Sequence, residues 1–450
     1  MEKFLFAKIE VWVLLLVAIL AGIGVVGFGA AALNVEQGGH RFGLVGKVAH
    51  SVFGVVDTVE IMLKEGDAMV VAMNDRADGS GWSFPDGKTA SGLPGYWLMS
   101  RHIAAEKRTV IELVRLSDNE VVYTWNPDAS QLYAGANATF THARSENWTN
   151  ARYRAFHPFL MDNGDLLVKD SHAPLMRIDS CAKRVWMQDS VMFHHTTESD
   201  GAGGFWITAI VEPSNIPYVS PQFEDLSLAH VSADGKVLQN FSAGEMLIRH
   251  GMQAIVFPPF AKADDPLHLN DIQPVTSDGP FWKKGDLFIS LRHPSMVLLY
   301  RPATDEIVWQ RSGLWMAQHD VDILDDHRIA IFDNRSYYRG SFGRVAGTSD
   351  IAIYDFATDQ VTHPYTAALA RENVVALFEG LVDFLPGGAF VLEDHNTGRI
   401  LIFGADGEKL GQFVNKAADG KVYQIGWGRY IDAEYGQQVL QKLVGTKCDA

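Results

Sequence analysis

Four short clusters in this chain carry side chains suited to handling an anion: His194-His195, His268-Leu-Asn270, Arg292-His293 and Gln318-His319-Asp320. A neutral imidazole is both a nucleophile and a proton carrier near pH 7, because its ordinary pKa is about 6.5. A guanidinium is permanently charged and planar, which suits the oxygens of a tetrahedral oxyanion. An Asn amide adds an uncharged hydrogen bond. Gathered in one place, these groups would make an anion pocket competent for group transfer. Zinc is the competing use of a histidine cluster. No HExxH or H-x-H pair is present and an Arg inside the cluster opposes a dication, so no metal is expected.

Each residue also has a plainer reading. A histidine at a strand start commonly bonds a neighbouring turn, and Arg292 has Asp286 close by in sequence. Side chains alternate along a strand, so at most one of His194 and His195 is expected to face inward. By the same rule His293 points away from Arg292 and outside the pocket. Asp394-His395-Asn396 reads as ordinary turn chemistry, and Trp186 and Trp309 as packing residues.

The clusters precede or interrupt strands of a repeating pattern, and that pattern is what must bring them together. Beyond Gly95, short β-branched and aromatic runs are broken by Asp-Gly, Asn-Gly and Gly-Gly turns. Units run over 159–186, 285–309, 321–335 with a continuation after an insertion, and from 382; weaker copies occupy 97–126 and 192–241. Each has the size of a four-stranded propeller blade. The expected fold is all-β, a six-bladed β-propeller, with residues 423–432 helping to close the ring. In a propeller the innermost strands line one central channel, so blade starts distant in sequence converge there.

The N-terminal region differs. Residues 11–33 contain no charge and no Pro, and about 23 residues rise roughly 35 Å as a helix, enough to cross a bilayer. A retained transmembrane anchor is favoured over a leader cleaved at Ala30-Ala31-Ala32, because the apolar run exceeds the usual leader core. A juxtamembrane helix is expected over 44–64 and a linker over 75–95. The domain reading is therefore 1–10 cytoplasmic, 11–33 spanning, 34–95 helix and linker, and 96–450 propeller.

Composition bounds the remaining choices. The chain of 450 residues is 47% hydrophobic with a formal charge of −16, which supplies a core and excludes a generic nucleic-acid binder. Two cysteines, Cys181 and Cys448, exclude a disulfide scaffold. Their mutual pairing is open, with unpaired the favoured reading. Four Asn-x-Ser/Thr sequons, at Asn137, Asn147, Asn240 and Asn334, carry little weight.

The stretch from Gly285 to Arg335, GDLFISLRHPSMVLLYRPATDEIVWQRSGLWMAQHDVDILDDHRIAIFDNR, resembles the bacterial arylsulfotransferase family, and His194-His195 and His268-Leu-Asn270 fall upstream in matching order. The resemblance spans most of the chain after about residue 100. It implies a six-bladed propeller whose channel holds the active site and moves a sulfuryl group from a phenolic sulfate ester to a phenol. No cofactor and no nucleotide sulfate donor is implied. His319 would be the nucleophile, forming a sulfohistidine; Arg292 would bind the sulfuryl oxygens; His268 would act as acid and base. Asn270 and one of His194 or His195 would complete the pocket. The implied place is a bacterial inner membrane with the propeller in the periplasm. Self-association stays open. The alternative from another class is a non-catalytic, membrane-tethered propeller that binds a protein or polysaccharide.

Overall fold

The computed structural model describes residues 10–36, 41–46, 48–49, 69–71, 78–85, 88–258, 264–339 and 342–448. Two units are distinct: one comprises Met1–Ala68 with Tyr338–Gly343, the other the remainder. In the first, Val11–Glu36 forms one helix whose apolar side chains are almost all exposed. Its stretch Val11–Asn34, with mean hydropathy 2.8, is long and apolar enough to cross a membrane. The expected helix over 44–64 lies mostly outside the described residues; positions 43–46 and 48–49 are helical.

The second unit is an all-β, propeller-like arrangement. Four sheets of four or five antiparallel strands are separate, and a seven-stranded sheet spans Phe159–Leu160 through Val237–Ser242. That larger sheet is continuous because one 16-residue strand, Arg184–Ser199, pairs along its first part with Ala173–Ile178 and along its end with Gly204–Ile210. Two short strands in the insertion seen in the sequence, Ser336–Arg339 and Phe342–Val345, pair with each other, and their residues within Tyr338–Gly343 belong to the first unit. The middle strands are apolar on both faces, as burial between neighbouring sheets demands: Leu287–Leu291 is buried throughout. The outer Glu306–Ser312 alternates exposed and half-buried positions, with Trp309 packed against Tyr354 and Phe356.

The innermost strands adjoin one another in turn: Arg184–Ser199, Leu269–Pro274, His319–Ile323, Leu381–Phe384 and Arg429–Ile431. Arg429–Ile431 pairs antiparallel with Tyr96–Ile103, so the end of the chain completes the sheet begun by its first long strand. The following helix, Ala433–Leu443, is capped by the Asp432 carboxylate and buries Val439 and Leu443. Just beyond it, Cys448 forms a disulfide with Cys181, with the Cα atoms 5.4 Å apart. This corrects the expectation of unpaired thiols. The docked helix carries the tail back to the turn before Arg184, a proximity that spacing in the sequence cannot disclose.

Candidate active site

His319 opens an inner strand and is fully buried. Its position is set by the residue before it. The Gln318 amide donates from Nε2 to the Ser290 hydroxyl and to the Leu291 and Met296 carbonyls, at 3.0–3.1 Å, pinning the strand to the preceding sheet. The Asn270 Nδ2 adds a bond to the Gln318 carbonyl at 2.8 Å. One donor expected to reach a substrate oxygen is thus spent on backbone, and Asn270 acts here as a brace. Asn270 Oδ1 has no protein partner.

The His319 ring is oriented by Asn334, which the sequence shows only as a sequon. Asn334 Nδ2 donates to the carbonyls of Ala376 and Glu379, at 3.1 and 2.8 Å. Its oxygen must then face His319 Nδ1, 2.7 Å away, so that nitrogen carries the proton. The lone pair is left on Nε2, which meets the Glu379 N–H at 3.3 Å. Burial, followed by the Arg292 charge, holds the His319 pKa well below 6.5. At neutral pH the ring is uncharged, with its one lone pair on Nε2 facing the Glu379 N–H. Asn334 itself is fully buried, which removes it as a glycosylation site.

Arg292 lies immediately after Leu287–Leu291 and is buried. Asp286, its possible partner in sequence, is taken by Arg301 through two bonds of 2.8 Å. Arg292 Nη2 instead donates to the Leu377 carbonyl at 3.2 Å, and its Nε has no protein partner. A buried guanidinium donor without an acceptor is costly unless an anion answers it.

His268 is half-buried and precedes the strand Leu269–Pro274. Asp265 accepts a short hydrogen bond from its Nδ1 and another from its backbone N–H, turning the ring inward. His195 lies between the two catalytic candidates, its ring centroid 5.3 Å from that of His268 and 6.2 Å from that of His319. Strict alternation is broken at His194-His195, although it is His195 that approaches His268 and His319. The strand register shifts between His194 and Thr197, and His195 has a left-handed φ of 45°. Both rings therefore enter one buried cluster, with their Nδ1 atoms 2.5 Å apart. His194 sits behind His195, stacked on His172, which in turn contacts Glu224 at 3.3 Å. Burial lowers the pKa of both His194 and His195 far below the ordinary value. His293, as expected, lies outside the pocket, with an exposed ring 4.7 Å from that of His268.

Several contributors left no clear signal in the sequence. Trp427 forms a wall, its ring 5.7 Å from His195 and 5.9 Å from His319. Lys169 is fully buried and donates to the His195 carbonyl; burial lowers its pKa to about 7 despite Asp170 nearby. Residues 376–379 form a strap that touches both Arg292 and His319 through backbone atoms. Glu379 and Gly380 both adopt left-handed φ, and a Cβ at Gly380 would come within 2.5 Å of the Phe332 ring.

The strap is held by the cluster read in sequence as turn chemistry. Asn396 Oδ1 accepts the Phe378 N–H at 3.2 Å, and the Glu379 carboxylate binds His395 at 2.6 Å and Arg154 at 3.0 Å. Burial disfavours charge on His395, but Glu379 outweighs it and raises the pKa to about 9. Burial acts likewise on Glu379, whose pKa Arg154 and His395 nevertheless bring far below the usual range. His395 is a buried imidazolium in this network, so the turn reading of that tripeptide is incomplete.

The inner strands also carry acids. Burial, together with the Glu198 charge, raises Asp271 to about 8. Burial raises Asp383 to about 6 although the Tyr430 N–H opposes it. A carboxyl raised in the folded state favours folding while protonated, and that contribution is lost as pH climbs from about 4 through the folded pKa. Asp271→Asn is therefore expected to match wild type in Tm near pH 4 and to exceed it by several degrees above pH 8. A gain that stays constant across thermal melts at different pH would assign the effect to packing instead.

The family model described as arylsulfotransferase (ASST) matches residues 157–416. No curated protein matches the chain. Among solved structures, a protein of unknown function from Bacteroides caccae is 13% identical with a TM-score of 0.47, covering 75% of this chain and 99% of that one. TolB from Acinetobacter baumannii is 9% identical at 0.45, covering 75% and 66% respectively. Apo AztD from Citrobacter koseri is 9% identical at 0.36, covering 76% and 99%.

Proposed function

The chain belongs to the arylsulfotransferase family, and on that premise we propose that it moves a sulfuryl group from an aryl sulfate to a phenolic or other hydroxyl acceptor by a ping-pong route, without a nucleotide donor. The observation that carries this reading is the juxtaposition of a buried, neutral His319 with Nε2 unprotonated and the charged Arg292 whose Nε has no acceptor. A site that only binds a partner has no use for an oriented lone pair at its base.

In the first half-reaction His319 Nε2 forms a bond to sulfur as the sulfur–aryl oxygen bond breaks. The departing phenolate takes a proton from His268, whose Nδ1 is held by Asp265. In the second, His268 takes the proton of the acceptor hydroxyl, whose oxygen bonds sulfur as the nitrogen–sulfur bond breaks. The transition state is loose and planar, so positioning and charge dominate, as in phosphoryl transfer. Arg292 supplies the charge and the strap holds Arg292. His195 packs between the two working rings, and His194 backs it.

The seven-stranded sheet is read as two blades sharing the strand Arg184–Ser199, which gives six. Residues 11–33 are read as a retained anchor in a bacterial inner membrane, with 34–450 in the periplasm. The exposed apolar helix supports the anchor, and the periplasmic side follows from the family.

The test is the detergent-purified full chain with nitrophenyl sulfate and a phenol. Nitrophenol release only with acceptor present is the expected result; equal release in water alone would mean a sulfatase. The Asn334 bond makes a further prediction. Asn334→Leu frees Nδ1 of His319 and is expected to lower kcat about 10–100-fold with little change in KM. Asn334→Asp, which keeps an acceptor there, is expected to recover part of that loss. Equal kinetics for the two variants would reduce Asn334 to a packing residue.

A further inference from the structure

His293 has no part in the transfer chemistry, yet it stands beside a residue that does. One donor atom from each of Asp265, His268 and His293 lies within 4.8 Å of the others. The same Asp265 oxygen that bonds His268 Nδ1 is 3.9 Å from His293 Nδ1. We propose that these three side chains form an inhibitory site for a divalent transition-metal ion, of the Zn²⁺ or Co²⁺ class, at the mouth of the pocket.

The donor set selects the ion. Two imidazoles and a carboxylate suit borderline cations such as Zn²⁺ and Co²⁺, whereas Mg²⁺ and Ca²⁺ require oxygen ligands. Ions from solution can reach it, since the side chains of Asp265, His268 and His293 are 20%, 28% and 39% exposed. Both segments are held in place by backbone. Arg292 donates its N–H to the His268 carbonyl at 3.0 Å, and His293 donates to that of Leu267 at 3.2 Å. The exposed His293 ring has to turn, giving up its 2.6 Å bond to the Asp265 carbonyl, and the short Asp265–His268 pair has to open to the roughly 3.3 Å that separates two ligands of one tetrahedral ion.

A deeper trio, His195, His268 and His319, also has donor atoms within 4.8 Å of one another. It contains no carboxylate, and Arg292 stands next to His319. The mouth is therefore the better place for a dication.

Coordination replaces the proton shared by Asp265 and His268 Nδ1, and solvent completes the tetrahedron. His268 then keeps its remaining proton on Nε2 and cannot accept one from the incoming hydroxyl. Binding stands on the geometry alone; inhibition also rests on the proposed transfer reaction.

The two are separated by titrating the full chain with Co²⁺ and following its visible absorption. A variant carrying His327→Ala serves as background, because Asp325, Asp326 and His327 form another group of possible ligands on an exposed turn. Saturable tetrahedral bands are expected, lost on adding His293→Ala and kept on adding His319→Ala. In the transfer assay, Zn²⁺ is expected to inhibit wild type reversibly by chelation. His293→Ala should run at the wild-type rate without metal and need at least about tenfold more Zn²⁺ for half-inhibition. No bands, or bands lost with His319→Ala but kept with His293→Ala, would overturn the site. If no transfer activity exists, the Co²⁺ spectrum still decides the metal site.

Discussion

Replacing His319 with alanine is expected to lower aryl sulfate turnover by about a thousandfold or more and to abolish any covalently trapped sulfate. His194 and His195 meet through their Nδ1 atoms and His268 Nδ1 is held by Asp265, so each retains Nε2. Of the four rings, His319 is the one whose Nδ1 proton is fixed by an amide oxygen beside the Arg292 charge. The measurement is a rapid quench with radiolabelled donor in the absence of acceptor, followed by acid-stable and base-stable fractions. Phosphohistidine-like acid lability of the label is expected for wild type, and no label for the variant. A His319→Ala protein that still traps label would move the nucleophile elsewhere. Because burial depresses the His319 pKa, the nucleophile stays unprotonated as pH falls below 6.5. Loss of activity just below that value would therefore report another group.

Arg292→Ala is expected to cost about a hundred- to a thousandfold in kcat, comparable to removing a donor from an oxyanion hole. The charge is buried and acts on the ring proposed to receive the sulfuryl group, so its effect should grow as negative charge shifts toward the leaving oxygen. Arg292→Lys keeps the charge and loses the planar fork. It should fall between the two, with most of the deficit in kcat. If KM rose alone, Arg292 would be holding the ground-state sulfate and contributing nothing further to the barrier. Loss of the Leu377 bond affects the strap as well, so the melting temperature of each variant should accompany the kinetics.

The propeller class was legible because its strands are separated by turns whose chemistry is local: Asp-Gly and Asn-Gly mark a hairpin without help from the rest of the chain. His268-Leu-Asn270 and Gln318-His319-Asp320 were legible because they stand at strand starts, where a channel collects side chains, whereas His194-His195 lies within Arg184–Ser199 and Arg292-His293 just after Leu287–Leu291. The bulge at His195 was not, since alternation is the default and only the left-handed φ breaks it. Asn334 was hidden by a chance sequon. Asp265 is an ordinary acid until His268 turns onto it. The strap 376–379 works through carbonyls and N–H groups, which every residue possesses and no residue type announces. The disulfide joins residues 267 apart in sequence and depends on where the last helix docks.

The pairing of Arg429–Ile431 with Tyr96–Ile103 sets an order of events. The first long strand must wait, with an unpaired edge, until more than three hundred later residues have been made. The residues just before this closing strand include Trp427, the wall against His195 and His319. A chain interrupted between His395 and Trp427 holds every histidine of the pocket and still lacks its final side. Closure of the pocket thus waits for this strand, and any turnover would be a readout of the completed sheet.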